Sequence, residues 1–385
     1  MLFNKKIVLI SNYLPDKQES MKLFALMFYD IFEKNKIEVE IWYPTVFFGK
    51  FLKNNNGLSK WFAYIDKYIL FPLVLILKRI VNIFNEKECV FHICDHSNSP
   101  YIYFLPNKKT VITCHDVLAI RGALGYKDAY CEASSTGKIL QELILNSLFK
   151  ANKIAFVSNY TRQQFIELKK IKSVQNLLDH SSYKVIYNGF NFNFKQLDIE
   201  KTRNTFNTFN ITITSPYIFH VGSNLPRKNR TLLVEMLNLL KDSWDGIVCF
   251  AGHSIDIELQ NLINKYGLEK RVISIVKPKH ELLIALYNGA EALVFPSFSE
   301  GFGWPLIEAQ ACGIPVITSN IEPMYEVCGG AAIHADPNCP EEFVKAFKSL
   351  SDKITREGLI KKGLINCERF EKEKILNSYL KFYNQ

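Results

Sequence analysis

Short apolar runs recur along the chain in two series, and the stretches between most of them carry helical spacing of apolar positions. In the first half the runs are Lys6 to Ser11, Val39 to Tyr43, Val90 to Cys94, Val111 to Thr113, Ile154 to Val157 and Val185 to Tyr187. In the second they are Ile218 to Val221, Ile247 to Ala251, Val272 to Val276, Ala292 to Phe295 and Val316 to Thr318. Strand-sized runs alternating with helices predict an α/β protein whose parallel sheets are covered on both faces. Between the two series lies Asn191 to Ser215, a polar stretch rich in Asn, Thr and Lys that reads as a linker with room for one helix. At 385 residues the chain accommodates two such domains, each with its own core, expected over 1–190 and 191–369.

Charge sharpens that division. Residues 1–190 hold 25 Lys and Arg against 16 Asp and Glu, and residues 191–385 hold 22 against 22, so the whole net charge of +9 belongs to the first half. A basic domain suits an anionic surface or substrate, and with no nucleic-acid-binding motif in the chain, no nucleic-acid partner is expected. The nine cysteines show no metal-ligand spacing and are read as reduced, the N-terminus lacks the pattern of a secretory signal, and no segment reaches the roughly 18 apolar residues of a membrane span. A cytoplasmic protein is the expectation.

The strongest local signal runs from Ala292 to Thr318. A strand stopped by Pro296, a turn holding Glu300, Gly301 and Gly303, a helix opening at Pro305 and ended by Gly313, and a second strand at Val316 make one βαβ unit. Its turn lies at the carboxyl edge of the sheet, where ligands of α/β proteins bind. The glycines leave backbone open to a ligand, the helix start offers amides to an anion, and Glu308, placed in the first turn, can accept two hydrogen bonds from a ribose diol. Without a ligand the same residues are a tight turn with Glu308 near a positive helix end, a reading that explains neither the paired glycines nor Glu300 before them.

Phe219 to Asn229 reads as strand, turn and the start of a helix running from about Arg230 to Leu240. Arg227 and Lys228 then precede a positive helix end, an unfavourable placement for two cations unless a diphosphate lies between; the alternative is two solvated surface charges. His115 and Asp116 follow the strand at Val111 to Thr113, where a capping Asp beside a satisfied His is the plain reading. Ser158 and Thr161 need only a structural account, Thr161 with Gln164 forming a capping box. Residues 47–84 mix Phe47, Phe48, Phe51, Leu52, Trp61 and Phe62 with Lys50, Lys53, Lys60, Lys67, Lys78 and Arg79. A core helix over Ile69 to Ile80 is expected, with peripheral contact to an anionic membrane as the alternative use of the stretch. Asp242 and Asp245 do not form an Asp-x-Asp pair, and no metal site is expected.

The segment from Ala292 to Thr318 resembles the signature of the retaining glycosyltransferases of family 4, whose GT-B architecture sets two Rossmann-like, doubly wound parallel-sheet domains facing across a cleft. The resemblance implies that Glu300 lies against a donor sugar and Glu308 on the nucleotide ribose, with the amides of Gly301, Phe302 and Gly303 at sugar hydroxyls. Pro305 departs from the family in having no amide, which leaves Trp304 and Leu306 for a phosphate. It implies that Arg227 and Lys228 grip the donor diphosphate beside Gly222 and Ser223, the latter standing where some members carry another Arg. It also turns His115 into a sugar or phosphate contact reaching from the first domain, and sends a C-terminal helix over 370–385 back to that domain. The loop Ser11 to Ser20 lacks the glycine pair of many members, so no contact is carried onto it.

The implied activity is retaining transfer of a hexose, of mannosyl or rhamnosyl type, from a nucleoside diphosphate sugar to a saccharide or lipid-linked saccharide acceptor in surface polysaccharide synthesis. The donor is a substrate; no permanently bound cofactor and no metal are expected. An epimerase or phosphorylase on the same fold, or a non-catalytic nucleotide-sugar binder, are the alternatives. A location in the cytoplasm, with peripheral attachment at the inner face of the membrane, follows from the lipid-linked acceptor and the basic first domain.

Overall fold

The computed structural model describes residues 5–50, 57–80, 89–172 and 182–385. Its chain divides into two compact units: unit 1 is Met1–Gly125, Glu132–Asn191 and Lys372–Gln385, and unit 2 is Tyr126–Cys131 and Phe192–Glu371. Tyr126–Cys131, inside the expected first domain, groups with unit 2.

Unit 1 is built on β1 (Lys6–Ile10), β2 (Val39–Trp42), β3 (Cys89–Ile93), β4 (Thr110–Cys114), β5 (Lys153–Phe156) and β6 (Tyr183–Val185). They form one parallel sheet in the order β2-β1-β3-β4-β5-β6. β3 and β4 are buried along their whole length, as strands covered on both faces must be. The helix Lys372–Tyr383 returns to this unit and enters its polar core. Tyr379 shares a hydrogen bond of 2.7 Å with the Thr113 hydroxyl, Tyr383 one of 2.8 Å with His92 Nδ1, and His92 Nε2 lies 2.7 Å from the same threonine.

The basic and aromatic stretch is helical but not in the way expected. Phe51, Leu52 and Lys53 fall outside the described residues, as do the side chains of Lys60 and Arg79. Beyond them, the helices Gly57–Ile65 and Phe71–Ile80 are joined by a π-helical turn, Asp66–Leu70. Asp66 is fully buried and accepts from the amides of Phe47, Phe48 and Gly49 at 3.0–3.1 Å and from the Tyr13 hydroxyl at 2.6 Å. Only one side of the second helix is core: Phe71 and Leu75 are buried, whereas Leu73, Leu77 and Ile80, with Ile69 of the turn before it, are 51–72% exposed. The expected core helix is therefore a half-covered one, because its apolar residues exceed the stripe that one packing face can bury.

Unit 2 holds β7 (Tyr217–Gly222), β8 (Ile247–Gly252), β9 (Val272–Val276), β10 (Ala292–Phe295), β11 (Val316–Ser319) and β12 (Ile333–Ala335) in a parallel sheet ordered β12-β11-β10-β7-β8-β9. The chain builds outward from β7 to β9, then restarts beside β7 at β10, so the topological switch lies between β7 and β10. β12 was not read from sequence, being three residues long with a polar centre, His334. The helix Arg230–Leu240 packs Leu232, Leu233 and Leu237 with Ile218, Val248 and Phe343, and the stretch before β7 contains the helix Ile199–Thr208.

The expected Thr161–Gln164 capping box is not formed. Ser158 is the N-cap of the helix Asn159–Ile171, its hydroxyl accepting from the Thr161 amide at 3.1 Å, while Thr161 and Gln164 are buried.

Candidate active site

The loops after β7 and β10 leave neighbouring strands at the switch point, the position where open α/β sheets bind ligands. They are tied together by backbone, the Phe298 amide donating to the Arg227 carbonyl at 2.8 Å. Pro226 to Lys228 make one 3-10 turn, which Asn229 ends in the left-handed region at φ 50° before the helix Arg230–Leu240 begins. This turn aims both cations at the loop from β10. Arg227 Nη1 donates to the Ser299 carbonyl at 2.9 Å and lies 2.8 Å from Glu300 Oε2, and the Lys228 ammonium is in direct contact with Glu300 Oε1. The Lys228 ammonium also sits 4.9 Å over the Phe295 ring.

Burial alone would push the Glu300 carboxyl up, but Lys228 and Arg227 outweigh it and hold the group down at about 2. Glu300 is thus a buried carboxylate, charged at any ordinary pH and satisfied by two cations.

Glu308 is the fifth residue of the helix Trp304–Ala311, one position further in than expected and just past its first turn, since the helix opens at Trp304 behind Gly303. Gly303 has φ 93°, a conformation that suits glycine, and a Cβ there would meet Leu306 Cδ1 at 3.0 Å. The Leu306 amide, expected to face a phosphate, donates to the Gly303 carbonyl at 3.1 Å as the turn closes. Trp304 is half-buried beside the buried Phe302, their rings 5.9 Å apart. Glu308 accepts a 2.6 Å hydrogen bond from the Tyr287 hydroxyl, yet burial dominates and raises its carboxyl to about 7. The two acids therefore differ in state: Glu300 is ionised, and Glu308 is poised to gain or lose its proton near neutrality.

Gly222 ends β7 and Ser223 follows it, half-buried. A Cβ on Gly222 would meet His220 Nε2 at 3.3 Å and the Lys228 side chain at 3.7 Å. His220 was not singled out from sequence, where it is one residue of an apolar strand. It is fully enclosed and donates from Nδ1 to the Val294 carbonyl at 3.0 Å, with Nε2 buried and without a hydrogen-bond partner among the described residues, and burial lowers its basicity to about 3. Tyr287 was likewise missed, because nothing in Leu-Tyr-Asn distinguishes a carboxylate donor from a core ring. From Tyr126–Cys131 comes a further neighbour: Tyr130 stacks on Phe298 at 4.8 Å with the rings 11° apart.

His115 belongs to unit 1. Its Nε2 donates to the Cys94 carbonyl at 2.9 Å, its ring meets Phe24 edge-on at 4.6 Å, and burial lowers its basicity. At the switch point of this sheet, between β1 and β3, a polar group unread from sequence gathers: Asp95 accepts from Asn12 at 2.5 Å and from the Ser97 amide and hydroxyl at 3.0 and 2.7 Å. Thus Arg227, Lys228 and Glu300 are brought into contact, Glu308 is held separately by Tyr287, and His115 stands in the other unit. Among the described residues no group of three or more His, Cys, Asp or Glu is arranged to hold a metal ion.

Residues 201–364 match the family model described as glycosyl transferases group 1. O-antigen chain mannosyltransferase B of Escherichia coli is 32% identical over 43% of this chain and 45% of its own. O-antigen chain mannosyltransferase RfbU of Salmonella typhimurium is 27% identical over 65% of this chain and 64% of its own. The matched stretch thus spans about half to just under two thirds of these curated relatives. The fold is similar to that of HepE from Anabaena, solved in complex with UDP and glucose, with a TM-score of 0.70 at 16% identity and 98% of each chain covered. The family model's match lies within unit 2, and the two doubly wound parallel sheets follow the GT-B fold of the solved neighbour.

Proposed function

We propose that the protein is a glycosyltransferase that moves a hexose from a nucleoside diphosphate sugar to a saccharide or lipid-linked saccharide acceptor, with retention at the anomeric carbon, in the synthesis of a surface polysaccharide. The observation that carries this reading is the convergence of Arg227 and Lys228 on Glu300 at the switch point of unit 2. In the transfer, the bond from the anomeric carbon to the phosphate oxygen breaks and its electron pair leaves with the diphosphate. A bond from the acceptor oxygen forms at the same carbon, and the acceptor hydroxyl passes its proton to the departing diphosphate oxygen. Charge develops on the leaving group, and Arg227 and Lys228 stabilise it as it develops. Glu300 contacts the sugar, with the backbone of Gly301, Phe302 and Gly303 near it; Glu308 holds the ribose. Gly222, Ser223 and the Trp304 amide line the phosphates, and His115 is proposed as a further sugar or phosphate contact on the family resemblance alone.

The relatives named as mannosyltransferases favour a mannosyl-type donor, and the neighbour solved with UDP supports a nucleoside diphosphate ligand. No metal is required in this reading, since two cations already face the diphosphate position. The test is calorimetric titration with UDP, GDP and ADP, followed by incubation with the matching hexose donor and a saccharide acceptor, the product's anomeric configuration being read by proton NMR. Turnover of donor without acceptor, or an inverted product, would overturn the assignment.

Peripheral attachment at the inner face of the cell membrane completes the proposal. No helix among the described residues is long and apolar enough to cross a membrane. The exposed side chains of Trp61, Ile69, Leu73, Leu77 and Ile80, in a unit that carries the chain's excess positive charge, support contact with an anionic lipid surface. Sedimentation with phosphatidylglycerol vesicles at low salt, absent with phosphatidylcholine, is the expected result.

A further inference from the structure

Glu300 is held by the same two cations that a diphosphate would need. Both of its oxygens are engaged, Oε2 by Arg227 at 2.8 Å and Oε1 by Lys228, and its side chain is only 8% exposed. A planar anion gripped at two oxygens by a guanidinium and an ammonium presents those cations with the charge and spacing of a phosphate edge. We infer that, without donor, Glu300 occupies the electrostatic place of the donor diphosphate. Donor binding is then an exchange in which the diphosphate takes over Arg227 and Lys228 and Glu300 turns to the sugar hydroxyls. This rests on the reading of Arg227 and Lys228 as diphosphate contacts and of Glu300 as a sugar contact.

The exchange discriminates between ligands. A nucleoside diphosphate without its sugar removes both cations from Glu300 and offers nothing in return, leaving a buried carboxylate uncompensated beside a new anion. The intact donor replaces the lost cations with hydroxyl donors. Glu300 therefore weakens the hold on the spent nucleotide more than on the donor, and by retaking Arg227 and Lys228 it drives the product out. A fixed brace, in which Glu300 merely orients the two cations for phosphate, predicts the reverse sign for its removal.

The test is calorimetric titration of wild type, Glu300→Gln and Glu300→Asp with UDP, GDP and ADP and with UDP-glucose and GDP-mannose, each protein's fold being checked by its thermal transition. For whichever nucleoside diphosphate binds, Glu300→Gln should bind at least about tenfold more tightly than wild type, the size of a lost charged hydrogen bond. The wild-type preference for the sugar nucleotide over the bare diphosphate should shrink in the same variant. Glu300→Asp, too short by one methylene to reach both cations, should change in the same direction and decides the matter if the Gln variant fails to fold. Equal or weaker binding of the nucleoside diphosphate by the folded variants overturns the exchange while leaving the glycosyltransferase reading intact. Failure of wild type and variants to bind any of the five probes overturns both.

Discussion

Glu300 and Glu308 share one loop and helix, both are buried, and their surroundings drive them to opposite states. Two cations hold Glu300 at about 2, and enclosure with a single hydroxyl donor lifts Glu308 to about 7. The signs for stability follow. The Glu300 contribution is present above the ordinary carboxyl value of 4.5 and is lost as pH falls towards about 2. For Glu308 the folded chain holds a proton that the unfolded chain has released, so its contribution is present below 4.5 and is lost as pH rises through about 7. Glu308→Gln should therefore gain in thermal midpoint relative to wild type as pH is raised from about 5 to about 8. A ribose diol needs the ionised acceptor, so wild-type affinity for the nucleoside diphosphate should rise over the same interval, and the Gln variant should give a flat profile. A parallel rise in both would remove Glu308 from that role.

At the scale of elements, the site depends on two strand ends that meet through glycine. Gly252 closes β8 at φ 115°, and a Cβ there would lie 2.5 Å from the Gly222 carbonyl oxygen, where neither backbone can yield. Gly252→Ala should lower the free energy of urea unfolding by about 2–3 kcal/mol, combining left-handed strain with displacement of the β7 loop. Ser158→Ala, which removes the hydroxyl that caps Asn159–Ile171, should cost about 1 kcal/mol in the same measurement. The alternation of strand and helix was legible because parallel strands buried on both faces appear as unbroken apolar runs, as Ala292–Phe295 does. Chemistry placed at strand ends was legible where glycine, proline and charge coincide, as from Pro296 to Pro305. What escaped was whatever depends on distant residues meeting: His220 and Tyr287 are ordinary core residues until Val294 and Glu308 face them, and Asn12 gains meaning only beside Asp95. The same limit explains why Ser158 rather than Thr161 caps its helix: both patterns satisfy the sequence rule, and only backbone direction chooses between them.

In the whole molecule, the last helix completes the first unit's interior. Tyr379 and Tyr383 satisfy Thr113 and His92, on strands of the middle of the sheet. Removing residues 372–385 leaves His92 Nδ1 without its donor, takes from the Thr113 hydroxyl one of its two partners and exposes the apolar face that the helix covers. Hydrogen exchange should then accelerate across Cys89–Ile93 and Thr110–Cys114 while Tyr217–Gly222 and Ile247–Gly252 keep their protection. Uniform acceleration of all four strands would instead mean that the two units unfold together.

The short strap Tyr126–Cys131 belongs with unit 2 although the chain on either side of it belongs to unit 1. Neither unit is therefore a contiguous gene fragment. Excising residues 192–371 would strip Phe298 of the ring that lies against it, two positions from Glu300. Anyone wishing to study nucleotide capture on half of the protein would do better to splice that hexapeptide back in, or to cut the intact chain with a protease and keep the pieces together.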